Sequence, residues 1–85
     1  MSITLKDLER DLAHYEMVIK ALLKEVEYLT RALESMLSKR DYTKGTSKVV
    51  EELVTKVLHL GEYIMAYRLL LYQKRRLEAY KKYKS

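Results

Sequence analysis

Residues 33–53 read LESMLSKRDYTKGTSKVVEEL. Leu33 and Met36 on one side, and Val50 and Leu53 on the other, belong to two long apolar patterns. Between them lies Asp41-Tyr42-Thr43-Lys44-Gly45-Thr46-Ser47, the one plausible turn in the chain. Gly45 can adopt the left-handed conformation, and Thr46 or Ser47 can cap the helix that follows. If the chain reverses here, the two patterns must face each other.

Upstream of the turn, apolar residues recur at spacings of three and four. They run Leu5, Leu8, Leu12, Tyr15, Ile19, Leu22, Val26, Leu29, Leu33 and Met36. An unbroken pattern of this kind is the signature of a helix with a coiled-coil seam. Its start is marked by Thr4 with Asp7 three residues on, an aspartate form of the capping box, and by Ile3 and Leu8 placed as a hydrophobic staple. Lys39-Arg40 suits a helix C-terminus. Downstream, Val50, Leu53, Val57, Leu60, Ile64, Tyr67 and Leu71 repeat the pattern until it meets Lys74.

Antiparallel pairing gives a single expected register: Met36 on Val50, Leu33 on Leu53, Leu22 on Ile64 and Tyr15 on Leu71. The same register pairs Glu9 with Arg75 and Glu16 with Arg68, and sets Gly61 opposite Leu23. The expected fold is an all-α antiparallel helical hairpin forming a single domain over residues 1–85. Helix 1 spans about 4–40, the turn 41–46, helix 2 about 47–83, and a basic end 73–85.

Composition agrees. The chain has 85 residues, no proline, no cysteine and only Gly45 and Gly61 as glycines. Disulfides and thiolate metal sites are therefore excluded, and breaker-poor sequences rich in Leu, Lys, Glu and Tyr favour long helices. No asparagine is present, and Gln73 is the one glutamine, while 34% of residues are charged. This amide-poor, Lys- and Glu-rich balance is the hyperthermophile pattern. Eight tyrosines without Phe or Trp lean the same way, toward archaea and their viruses. The amino terminus carries acids early and has no apolar h-region, so an intracellular location is expected (the host cytoplasm, for a viral protein).

The hairpin leaves apolar residues over. Tyr63, Leu70 and Leu77 line one shoulder of the second helix, and Leu58, Met65, Leu69 and Tyr72 form a further stripe. Exposed stripes of this length mark interfaces. These residues are the expected self-association surface, and stacking two hairpins gives a homodimeric four-helix bundle. Membrane spanning is not expected, because Arg68 interrupts 63–72 and a span needs about twenty apolar residues. A peripheral membrane-surface role is the weakest of the alternatives.

Charge is uneven. Residues 1–40 carry seven basic and seven acidic side chains, and residues 41–72 four of each, so the net charge of +5 resides in residues 73–85. Lys74, Arg75, Arg76, Lys81, Lys82 and Lys84, with Tyr80 and Tyr83, are the expected contacts to nucleic acid or to an acidic protein. Lys and Arg neutralise phosphates, and tyrosines stack on exposed bases. The competing explanation is that basic last turns complement the helix dipole and keep an apolar bundle soluble.

Catalysis finds no footing. No cysteine nucleophile or glycine-rich phosphate loop is present, and no serine has a histidine at helical spacing. Asp11/His14 and His59/Glu62 are at metal-ligand spacing but fall mostly off the seam, and the two histidines are about 20 Å apart along the hairpin. Small helical enzymes of the chorismate mutase type bury several basic residues in the bundle core, whereas this seam is apolar. No catalytic residue, metal, cofactor or small-molecule substrate is expected. The expected function is a non-enzymatic adaptor or scaffold. The alternative is a nucleic-acid-binding accessory protein of a replication or transcription assembly.

Overall fold

The structure is a computed structural model that describes residues 3–84, with the side chain of Lys84 outside the described residues. Two helices run antiparallel, α1 over Leu5–Ser38 and α2 over Lys44–Lys84. Thr4 caps α1 as expected. Its hydroxyl accepts from the Asp7 N–H at 3.1 Å, and its own N–H donates to Asp7 Oδ2 at 3.2 Å. Leu8 is buried while Ile3 remains 61% exposed, so the expected staple gives Ile3 little cover.

The reversal comes earlier than the glycine suggests. The Arg40 N–H donates to Leu37 O and the Asp41 N–H to Met36 O, at 3.0 and 2.9 Å. This is the Schellman closure, and it requires a left-handed residue, here Arg40 at φ 54°. Gly45 lies inside α2 without a positive φ. Thr46 and Ser47, expected as caps, sit in the first turn of α2, with their N–H groups donating to Thr43 O. The Thr46 hydroxyl reaches back to Asp41 O, and Thr46 is buried.

An earlier corner changes the register. Every seam residue named above for helix 1 is buried or half-buried. On α2 the covered residues are Thr46, Val49, Leu53, Lys56, Leu60, Tyr63, Ala66, Tyr67, Leu70, Leu71, Lys74 and Leu77. Leu53, Leu60, Tyr67 and Leu71 stay on the covered side, as expected of the seam. Val50, Val57 and Ile64 do not; they are 40, 47 and 39% exposed. Cross-helix contacts set the new register: Lys56 Nζ to Glu25 Oε2 at 2.7 Å, and Lys74 Nζ to Glu9 Oε1 at 3.9 Å. The Tyr67 hydroxyl donates to Glu16 Oε1 at 2.9 Å. Glu9 thus meets Lys74 rather than Arg75, and Glu16 meets Tyr67 rather than Arg68. A Cβ added at Gly61 would touch nothing within 4 Å, so Gly61 makes no room for Leu23.

Two causes account for the shift. Turning at Arg40 rather than Gly45 slides α2 by roughly one helical turn. Lysine also joins a seam more readily than its charge suggests, because its alkyl stem covers apolar surface while the ammonium reaches out to a carboxylate. Lys56 and Lys74 do this toward Glu25 and Glu9.

What is buried is little. Leu8, Leu12, Leu22 and Leu29 form the core among the described residues, and no large side chain is fully enclosed. The hairpin measures 64 × 21 × 15 Å with a radius of gyration of 18.9 Å. A compact domain of this length would have about 12 Å. Among the described residues, no helix is long and apolar enough to cross a membrane.

Candidate interaction surfaces

Helix α1 is amphipathic in the ordinary way, with one apolar stripe turned toward α2. Helix α2 is apolar on two sides, and α1 covers one of them. On the other side Leu58, Met65, Leu69 and Tyr72 are 61–66% exposed. Val54 at 52% joins them, as do Val50, Val57 and Ile64, which the register shift turns outward. Arg68 interrupts the face, and a depression of about 270 Å³ opens among Met65, Arg68, Leu69 and Tyr72.

Tyr63, Leu70 and Leu77 belong elsewhere. They are half-buried on the α1 side, where the Tyr63 ring lies 5.5 Å from the Tyr15 ring. The open face therefore comprises four of the seven residues expected for self-association, and gains Val50, Val54, Val57 and Ile64. Two 3–4 stripes on α2 share the line Leu53, Leu60 and Tyr67, and choosing between them decides which residues remain outside.

The basic end extends beyond its partner helix. Lys74 faces Glu9 near the start of α1, so the last turns of α2 continue past it as a single helix. Lys74 is partly engaged by Glu9, and the Arg76 guanidinium lies 5.8 Å from the centre of the Tyr72 ring, a cation–π distance. Arg75, Lys81 and Lys82 are exposed, as are Tyr80 at 56% and Tyr83 at 91%. Lys84 continues the helix. The face and the basic end are contiguous, joined through Tyr72 and Arg76.

The histidines do not build a site. The His14 ring packs edge-on against Tyr15 at 5.9 Å. Among the described residues, no three His, Asp or Glu side chains gather where they could hold a metal ion. The surface depressions are open and shallow. Among the described residues, Asp7 is held below its ordinary range by Thr4, and Tyr67 is raised by its hydrogen bond to Glu16. The first belongs to the cap of α1 and the second to a contact between the helices. Against known protein families, curated proteins and solved structures alike, the chain shows no match.

Proposed function

We propose that the chain is a non-enzymatic scaffold or adaptor that self-associates through the outer face of α2 and offers its basic helix end to an anionic partner. The observation that carries this reading is the uncovered apolar face of a 41-residue helix that runs directly into the charged end. A helix apolar on two sides is stable in water when both sides are covered, and α1 covers one. The concentration of +5 net charge in residues 73–85 supports an anionic partner for the end.

Light scattering on the full chain, together with binding to polyglutamate and to nucleic acid at low salt, tests this function. A dimeric mass is expected, reduced to one chain by Met65→Glu with Leu69→Glu. Truncation after Gln73 is expected to preserve the dimer and abolish anion binding. A full chain that is monomeric at high concentration and binds neither anion would overturn the proposal.

A second reading, a nucleic-acid-binding accessory protein, is favoured by the exposed Tyr80 and Tyr83 beside Lys81 and Lys82. Base stacking adds affinity that a polyglutamate probe lacks. Preference for single-stranded nucleic acid over polyglutamate, lost in Tyr80→Ala with Tyr83→Ala, would select this reading.

A further inference from the structure

We propose that the occupant of the outer α2 face is a second copy of this chain, laid antiparallel along it with the two-fold axis level with residue 63. This rests on the self-association proposed above and specifies its geometry.

A line of residues exposed throughout on α2 runs Glu51, Val54, Leu58, Gly61, Met65, Arg68, Tyr72 and Arg75. Its spacings alternate between three and four, the seam of an antiparallel or parallel helix pair. Antiparallel pairing about residue 63 places Val54 against Tyr72 of the second copy and Gly61 against its Met65, each a small residue facing a large one. Leu58 meets the alkyl stem of Arg68. Beside the seam, Val57 meets Leu69. At the ends, Glu51 meets Arg75, with Lys48 and Glu78 opposed next to them. Each of these pairs occurs twice, as two-fold symmetry requires.

Parallel pairing sets each residue against itself: Glu51 on Glu51, Arg68 on Arg68 and Arg75 on Arg75. It also sets Gly61 on Gly61, leaving a gap at mid-helix. Like charges in register and a void both disfavour it. The charge order along α2, acidic at Glu51 and Glu52 and basic from Lys74 to Arg76, is thus complementary to its own reverse. A partner of unrelated sequence would give no reason for that symmetry.

Gly61 is a separate observation pointing the same way. Its φ is ordinary, and nothing in the hairpin lies within 4 Å of where a Cβ would be. Glycine in a helix interior costs about 1 kcal/mol relative to alanine, so the hairpin alone would be better served by alanine. Close approach of a facing helix, with Met65 filling the space, gives the glycine a purpose.

Surface area supplies the magnitude. The hairpin exposes 7252 Å², against about 5,300 Å² for a compact monomer of its mass. The excess of roughly 2,000 Å² is more than the ~800 Å² per partner of a standard interface and within the range of obligate dimers.

The arrangement sends the two basic ends in opposite directions. Lys81 lies eighteen residues from the axis, so the two copies of it stand about 54 Å apart at 1.5 Å per residue. The dimer would bridge two anionic surfaces rather than clamp one.

The native chain has no cysteine, so single-cysteine variants report contacts directly. Val54→Cys and Tyr72→Cys are made separately, both at exposed positions, and equilibrated in a glutathione redox buffer alone and mixed. The expected result is a disulfide-linked dimer in the mixture and none in either variant alone. Val54→Cys cross-linking to itself would mean parallel pairing and would overturn the proposal. A dimeric mass with no cross-link in any sample would overturn it too, placing the interface elsewhere while self-association stands. A monomeric mass throughout would remove both. Gly61→Leu provides an independent check: helical circular dichroism retained, with the mass falling to that of one chain. An unchanged dimer in that variant would also overturn the geometry.

Discussion

Lys56 Nζ lies 2.7 Å from Glu25 Oε2, and this ion pair ties the seam of the hairpin at a layer where an apolar residue would pack more tightly. Its counterpart, Lys74 with Glu9 at 3.9 Å, sits toward the open end. Both lysines lie on the shoulder of α2 that faces α1, whereas the other shoulder offers Val50, Val57 and Ile64, all exposed, and Leu71, which stays half-buried. A lysine in a seam lowers stability and narrows the choice of register.

Lys56→Leu is therefore expected to stabilise the hairpin by about 1 kcal/mol and so raise its urea midpoint, because leucine covers more apolar surface at this half-buried position while Glu25 is already largely in water. Equilibrium unfolding followed by circular dichroism measures it. A lower midpoint would mean that the ion pair itself stabilises the layer more than apolar packing does.

Arg40→Gly is expected to stabilise the corner. A non-glycine residue at φ 54° carries a steric penalty of about 1 kcal/mol that glycine avoids. The melting temperature should rise by a few degrees, and Arg40→Val, with a branched Cβ, should lower it.

The capping box gives the fold a pH dependence. Hydrogen bonding to the Thr4 side chain, then to its backbone N–H, with Arg10 contributing, holds Asp7 below its ordinary value. A depressed carboxyl adds stability that is present above the unfolded value of about 3.9 and is lost as pH falls through the folded value. Melting temperatures at pH 6 and pH 2.5 should therefore differ less for Asp7→Asn than for the parent. At the alkaline end the sign reverses. Tyr67 is raised by its bond to Glu16, so its contribution is present below pH about 10 and lost as pH rises through the folded value. Tyr67→Phe should flatten that limb.

Two leucines separate the hairpin from whatever covers it. Leu12 is 6% exposed and Leu58 63%. Leu12→Ala should cost about 3 kcal/mol at any protein concentration. Leu58→Ala should change the dilute hairpin by no more than about 0.5 kcal/mol while reducing the concentration dependence of its melting temperature. Melts over a hundredfold range of concentration distinguish the two.

The extent and inward face of helix α1 are legible in the sequence because its seam residues form an unbroken stripe and its start carries a capping box. Helix α2 was legible as a helix but not in its rotation. Leu53, Leu60 and Tyr67 belong to both candidate stripes, and counting Lys56 and Lys74 as polar favours the wrong neighbour. The corner is not legible for a related reason: Gly45 is the residue best suited to a left-handed conformation, yet the Schellman bonds close on Arg40. The exposure of Leu58, Met65, Leu69 and Tyr72 is legible because they lie in neither stripe. The cover over Tyr63, Leu70 and Leu77 is not legible, because it depends on the register. Position and charge of the basic end needed no register at all.

The last turns of α2 stand beyond α1 without a neighbouring helix. An isolated segment of that length would not be helical, since nucleation fixes several residues for one hydrogen bond. Here nucleation has already occurred in the clamped part below, and each further residue only propagates the helix. The basic side chains are thus carried on a stiff rod at fixed angles instead of on a loose tail. Much of the ordering that a disordered basic arm would undergo upon contact is already complete before a partner arrives.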